Sequence, residues 1–334
     1  MSTEVALPIP TALQPFAEQA RDYAKLARAS NTRRAYASDM RAFEEWCAAR
    51  GLLALPAAPA AVLSYLIDHV TTLKVSTLQR RLAAIREAHA AIGHRLDTSS
   101  PAFRDAWTGI RRAHAAPAAK KRPLMTPDLR KVLALLPNTL TGLRDRALIL
   151  VGFGAALRRS ELAGIELAAC AGNWLEERPD GLVVHIGRSK TDQGAAGVEI
   201  GIPYGSNPDT CPVRNFRAWV QASGLKEGPA FRPINRHGQI GAAAITDHAV
   251  ARILQRAVVA HALAEGHTPE EATRIAAAYA GHSLRSGLAT SAAVNDAPGH
   301  AIQRQLRHKR FDTTSGYIRS GQLFKQNPAG MAGL

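Results

Sequence analysis

Cysteine is scarce in this chain. Cys47, Cys170 and Cys211 are the three in 334 residues, and no two stand at a CxxC spacing. That spacing gives neither a disulfide framework nor a thiolate zinc site. No apolar run reaches the ~18 residues of a membrane span. The N-terminal MSTEVALPIPTALQPFAEQA lacks the basic-then-apolar order of a secretory signal. Together these absences predict a cytoplasmic protein without a membrane segment. The histidines show no HExxH pattern and no carboxylate cluster, which disfavours a metal-dependent hydrolase and predicts no metal site. Aromatic residues make up only 5% of the chain. Acidic residues are also short, 27 against 42 Lys and Arg, leaving a net charge of +15.

What is present describes an ordinary globular protein, 46% hydrophobic and 21% charged, long enough for two separate cores. Residues 1–116 hold 15 basic against 10 acidic side chains, and residues 117–334 hold 27 against 17. Both halves are basic, as expected if both touch one polyanion. The alternative is a chain merely rich in Arg and Ala.

The first half reads as helical throughout. Ser30-Asn31-Thr32 offers capping oxygens ahead of an apolar stripe of Tyr36, Met40, Phe43, Trp46 and Cys47, which Gly51 ends. A second helix is expected over Ala58 to Val70. A third, capped by Ser76-Thr77, aligns Leu78, Leu82, Ile85 and His89. A fourth opens at Ser99-Ser100-Pro101 and carries Phe103, Trp107 and Ile110. Arg80, Arg81 and Arg86 lie mainly off the third stripe and form either a solvated face or a phosphate-contacting surface.

Ala113 to Pro123, AHAAPAAKKRP, has no apolar periodicity and predicts an extended connection. Its Lys120, Lys121 and Arg122 are either a tether's solvated charge or a clamp on a nucleic-acid backbone. The expected organisation is therefore an N-terminal extension with a first helix over 1–29, a helical domain over 30–113, a basic linker over 114–124 and a second domain over 125–334. In that second domain a helix starts at Thr126-Pro127-Asp128, and the run ALILVGFGAAL within Thr141 to Leu157 should be buried. Leu182–Ile186 and Val198–Ile202 are strand-like, joined by a Gly-rich turn containing Lys190. Helices return around Val213–Ala222, Asp247–Glu265, Pro269–Ala280 and His282–Val294.

The C-terminal stretch Gly281 to Tyr317 gathers His282, Arg285, His308 and Tyr317. His282 and Arg285 stand at i and i+3, on one helical face. Arg158 and Glu161 share that spacing further upstream. Metal-free cleavage of a phosphodiester needs a nucleophile, charge stabilisation and a proton donor to the leaving oxygen. Tyr is a competent covalent nucleophile when its proton is managed, Arg grips non-bridging oxygens with fork geometry, and His handles protons. Each signal is weak alone.

In combination these residues resemble the tyrosine recombinases, the phage-integrase family, in their Cre-like form. Ala156 through Leu162, ALRRSEL, resembles the box that supplies a first catalytic arginine. His185 through Thr191, HIGRSKT, resembles the hairpin that presents a catalytic lysine. GHSLR at 281–285 resembles the HxxR box, and Leu306-Arg307-His308 through Tyr317-Ile318-Arg319 resembles the LGH…Y box. The four boxes follow the family order. Two positions depart from it: Ala156 and Arg307 stand where the family has glycine. Ala is small enough to be tolerated; Arg307 either alters a helix start or adds a phosphate contact.

The resemblance implies a mainly α fold with a small antiparallel β-sheet, made of an all-α core-binding domain and an α+β catalytic domain. It implies Tyr317 as nucleophile, Lys190 as acid to the leaving 5′-oxygen, and His282 as general acid/base. Arg158, Arg285 and His308 would stabilise charge, and Glu161 would orient neighbours. No cofactor is implied. The partner implied is double-stranded DNA, contacted by Arg80, Arg81, Arg86, Lys120, Lys121 and Arg122, with an affinity that falls steeply with salt. A homo-tetramer on two sites is implied, assembled through the tail after Tyr317; the alternative is a frayed tail. The short stretch before Ser30 leaves no room for an arm-binding domain, which predicts a simpler reaction. A type IB topoisomerase would use the same tyrosine chemistry alone, and a silent accessory protein would lack one of these residues.

Overall fold

The computed structural model describes residues 11–14, 16, 19–20, 23, 30–116, 121–187, 197–322, 325 and 332. The chain divides into two compact units, Met1–Ala119 and Lys120–Leu334.

The first unit is helical: α1 (Ser30–Ala48), α2 (Pro59–Asp68), α3 (Val75–Ala91) and α4 (Pro101–His114). Their apolar stripes meet in one core of Phe43, Cys47, Val62, Tyr65, Leu66, Leu78, Leu82, Ile85 and Phe103. Tyr65 lies edge-on to Phe43 and Trp46, at centroid distances of 5.1 and 5.5 Å. His89 completes the predicted α3 stripe and is fully buried; its Nε2 accepts the Ala57 N–H at 2.8 Å while Nδ1 donates to the Ile85 carbonyl at 2.7 Å. The predicted α3 cap is corrected. The helix begins at Val75 after an extended Lys74, which puts Ser76 and Thr77 inside its first turn. Burial of Leu78, Leu82 and Ile85 sets the frame, and the Lys74 carbonyl already receives the Thr77 and Leu78 N–H groups.

The second unit contains α5 (Thr126–Ala134), α6 (Leu140–Gly154), α7 (Arg159–Ala163), β1 (Ile165–Glu166), β2 (Asn173–Arg178), β3 (Gly181–Ile186) and β4 (Val198–Pro203). These are followed by α8 (Pro212–Ser223), α9 (Asp247–Ala264), α10 (Pro269–Ala277), α11 (His282–Val294), α12 (Gly299–Leu306) and α13 (Phe311–Gly321). Every residue of α6 from Ala147 to Gly152 is buried, as its unbroken apolar run requires. It packs with α5, α8, α9 and the inner face of the sheet, where Leu182, Val184, Ile186, Ile200 and Ile202 contribute.

The sheet order is β1-β2-β3-β4, and it is mixed, not antiparallel as the sequence predicts. β1 pairs with β2 in parallel, while β2–β3 and β3–β4 are antiparallel. β1 has only two residues, too short to show any alternation, and its direction follows from the crossing between Glu166 and Asn173. At the β2–β3 turn Gly181 (φ 151°) meets β4 so closely that a Cβ would stand 2.1 Å from the Ile202 carbonyl oxygen.

The end of the predicted linker belongs to this unit. The Arg122 and Leu124 N–H groups donate to the carbonyls of Ala278 and Ser283, at 2.8 and 3.0 Å. Leu124 crosses α11 at Gly287, where no side chain fits. A small separate cluster of Ala156, Ala289, Ala293, Ile302 and Leu306 joins α11, α12 and α13, with Tyr317 and Ile318 packed on it.

Candidate active site

The site is assembled from three chain segments around that alanine-rich cluster. The first is the turn from α6 into α7. Ala156 turns the backbone through a left-handed conformation (φ 49°), and Arg158 then takes the N-cap of α7. Glu161 folds back as in a capping box: its Oε2 accepts the Arg158 N–H at 2.8 Å and its Oε1 accepts Nη1 of the same arginine at 2.6 Å. The i, i+3 spacing of Arg158 and Glu161 is thus a cap and an ion pair at once.

The second segment is the start of α11. Arg285 is 2% exposed. Its Nη1 donates to the Ala156 carbonyl at 2.6 Å and its Nη2 to the Leu306 carbonyl. Two main-chain oxygens from different segments therefore aim one guanidinium. Burial, then the nearby charges of Arg307 and Arg158, lower its pKa to about 10, so it stays a cation at neutral pH. His282, one turn earlier, lies at the surface with its Nε2 3.0 Å from the Tyr317 hydroxyl. Desolvation and the cations Arg285 and Arg158 push His282 below its ordinary pKa, so the ring is neutral at neutral pH.

The third segment runs from the end of α12 into α13. His308 stacks near Tyr317, with centroids 6.1 Å apart. Its Nδ1 meets the hydroxyl of Thr314, a fully buried residue, at 2.9 Å. The Gln303 side-chain amide holds the His308 carbonyl at 2.9 Å. Burial and four neighbouring cationic or titrating side chains, Arg285 first, take the His308 pKa down to about 4. Tyr317 is half-buried and its phenol is raised by that burial, against the pull of Arg285. At rest the phenol is therefore protonated, and cationic neighbours alone do not ionise it. A neutral imidazole 3.0 Å away is the group able to take its proton.

Arg307 occupies the left-handed C-cap of α12 (φ 55°, ψ 41°). Neither sequence alternative is quite what is found: Arg307 ends a helix, and its guanidinium turns inward to Glu161, Nη2 to Oε2 at 2.8 Å. Burial alone would raise the Glu161 carboxyl, but Arg307 and then Arg158 outweigh it and hold it below its ordinary value. Sequence reading missed Thr314, Gln303 and this ion pair. The only signal was the glycine-to-arginine departure at 307.

Five of the six predicted catalytic residues thus converge: Arg158, His282, Arg285, His308 and Tyr317, with Glu161 beside them. Lys190, in the β3–β4 turn, lies outside the described residues, as does Lys120. Arg80 and Arg81 both turn to the buried Asp39, Arg80 Nε to Oδ2 at 2.7 Å and Arg81 Nε to Oδ1 at 3.7 Å, and Arg81 also donates to the Tyr65 hydroxyl. Arg86 is exposed. Lys121 donates to the Ala277 carbonyl at 2.6 Å, and Arg122 lies over the Tyr279 ring, 5.7 Å from its centroid. Among the described residues no cluster of three or more His, Cys, Asp or Glu could hold a metal ion, and no helix is long and apolar enough to cross a membrane.

Comparison with known proteins extends this picture over most of the chain. A family model described as the phage integrase N-terminal SAM-like domain matches residues 22–95. An integrase/recombinase xerD homolog of Selenomonas ruminantium is 36% identical over 306 residues, covering 90% of this chain and 85% of that protein. The recombinase cre of Escherichia phage P1 is 26% identical over 261 residues, 75% of this chain and 72% of that one. Among solved structures, the Tn1549 transposon integrase in complex with transposon right end DNA has a TM-score of 0.56 at 16% identity, over 92% of this chain and 94% of that one. A lambda integrase dimer bound to a COC′ core site has a TM-score of 0.56 at 13% identity, over 93% and 77%. At those identities the two structures speak for the fold, a helical unit followed by a mainly helical one with a small mixed sheet. The sequence relationship goes further, and on it the chain belongs to the tyrosine recombinase family.

Proposed function

We propose that this recombinase cuts and rejoins double-stranded DNA at specific sites through a 3′-phosphotyrosine intermediate, with Tyr317 as the nucleophile. The observation that carries the assignment is the 3.0 Å contact between the Tyr317 hydroxyl and Nε2 of a neutral His282. His282 takes the phenolic proton as Tyr317 Oη forms its bond to phosphorus. The bond from phosphorus to the 5′-oxygen breaks, and that oxygen leaves as a hydroxyl with a proton from Lys190. Arg158 and Arg285 neutralise charge on the non-bridging oxygens. His308, with its pKa near 4, serves as a neutral hydrogen-bonding group rather than as a cation. A 5′-hydroxyl from a second strand reverses the step and returns the tyrosine. One phosphodiester is exchanged for another, so the reaction needs no external energy source.

We further propose a homo-tetramer on two DNA sites, acting in the cytoplasm, with the tail after Tyr317 linking subunits. The outcome would be integration, excision or resolution of a mobile element or plasmid. The net charge of +15 supports a DNA partner.

A nicked target in EDTA tests the chemistry. The wild-type protein should trap a covalent protein–DNA species, and Tyr317→Phe should bind the same DNA yet form none. A covalent adduct in Tyr317→Phe would sink the assignment. Arg158→Ala should slow adduct formation roughly 10²–10³-fold, the scale of losing an oxyanion donor.

A further inference from the structure

Arg307 is costly to place. It sits at a left-handed backbone position, where glycine is at ease and a long side chain is not. Its side chain is 7% exposed, and its Nε and Nη1 are buried with no hydrogen-bond partner among the described residues. Unpaired buried donors and a strained backbone at one residue mark a position held for a task beyond packing. The task is visible in its one strong contact. Glu161, 9% exposed, receives three donors: the Arg158 N–H, Arg158 Nη1 and Arg307 Nη2. Without Arg307, half of the carboxylate's charged partners disappear, and a carboxyl so buried would drift towards its neutral form.

We propose that Arg307 is a positioning residue for strand cleavage, acting through Glu161 to hold Arg158 in place in an Arg158–Glu161–Arg307 chain. The inference rests on the reading that Arg158 serves the scissile phosphate. Arg158 is itself 29% exposed, so its guanidinium has a free side for a ligand while the anchored side faces Glu161. The chain explains why an arginine is kept at a helix end that would accept glycine more easily. With Arg158 as its one charged partner, a carboxyl this buried would drift towards its neutral form and hold Arg158 less firmly.

The test is a double-mutant cycle read by single-turnover adduct formation on a nicked target, with DNA affinity and thermal melting measured in parallel. Arg307→Met and Glu161→Gln should each slow adduct formation about tenfold without changing DNA affinity. The double variant should also be about tenfold slower, not about a hundredfold, since both changes break the same chain. Arg307→Lys, which keeps one charged donor, should restore most of the rate. If Arg307→Met alone fails to fold, the comparison of Glu161→Gln with the double variant, in which both buried charges are gone, carries the test. An additive loss in the double variant, a wild-type rate in a folded Arg307→Met, or no rescue by lysine would overturn the proposal. Should Arg158→Ala itself leave adduct formation intact, the underlying reading of Arg158 fails, and that outcome is separate from the cycle.

Discussion

Ala156 and Arg307 are two of the three non-glycine residues with positive φ among the described residues, and both line the site. They are also the two positions where the sequence departs from the family's glycines. What glycine supplies at both is backbone freedom, so the size of the replacing side chain is a secondary matter. Each carries a conformational cost of about 1–2 kcal/mol. The histidines lend the residue scale its pH dependence. His308 has a folded pKa near 4, below the ~6.5 of an unfolded histidine. The unfolded chain therefore binds more protons between those values, and stability present above pH 6.5 is lost as pH falls towards 4. His282 acts in the same direction. Thermal melts of wild-type protein should decline across that window. His308→Asn should flatten the decline, and an unchanged slope would remove His308 as its source.

At the scale of elements, α11 does most of the positioning, because the face that presents His282 and Arg285 to α13 and α12 also carries Ala289 and Ala293 of the cluster shared with them. Its small residues are what allow this. At Gly287 a Cβ would stand 2.0 Å from the Leu124 carbonyl oxygen, so the segment from Lys121 to Met125 crosses the helix in near backbone contact. Gly287→Ala must push the two apart. We expect a loss of about 1–3 kcal/mol in urea melts, and slower adduct formation because the displaced helix carries both residues. Normal stability in that variant would mean that Leu124 moves aside freely. Thr314 matters in a different way. It appears in sequence as part of a polar run, yet in α13 it is fully buried beneath His308.

For the whole molecule the decisive region is the end of the chain. Lys325 pairs with Asp296 at 2.8 Å, and Gln322 donates to the Ala293 carbonyl at 3.3 Å, both at the end of α11 in the same chain. In the proposed tetramer the tail exchanges such contacts for ones on a neighbouring subunit. Deletion of residues 321–334 should then leave DNA binding by one protomer intact and abolish cooperative assembly, as band-shift titrations on paired sites would report. Assembly that survives the deletion would assign subunit contact to another surface.

Sequence alone determined the helical first unit and the buried α6, and it singled out the tyrosine, the two histidines and the two arginines that the structure brings together. Those signals are local: apolar spacing along α1 and α3, or short boxes such as GHSLR whose residues fold together. The parallel β1–β2 pairing and the α12 cap were not legible, because a two-residue strand and a single left-handed arginine carry no periodic signal, and the Arg307–Glu161 ion pair was not legible because it joins segments distant in the chain. Residues 161 and 307 are 146 positions apart. No periodicity encodes that encounter, which arises only when the alanine-rich cluster brings α12 against the turn before α7. Within the first unit, separately, Arg80 and Arg81 turn towards Asp39, where sequence could offer only a choice between a solvated face and a phosphate-contacting one. Residue type set the available chemistry, and tertiary burial decided which charges were left free to perform it.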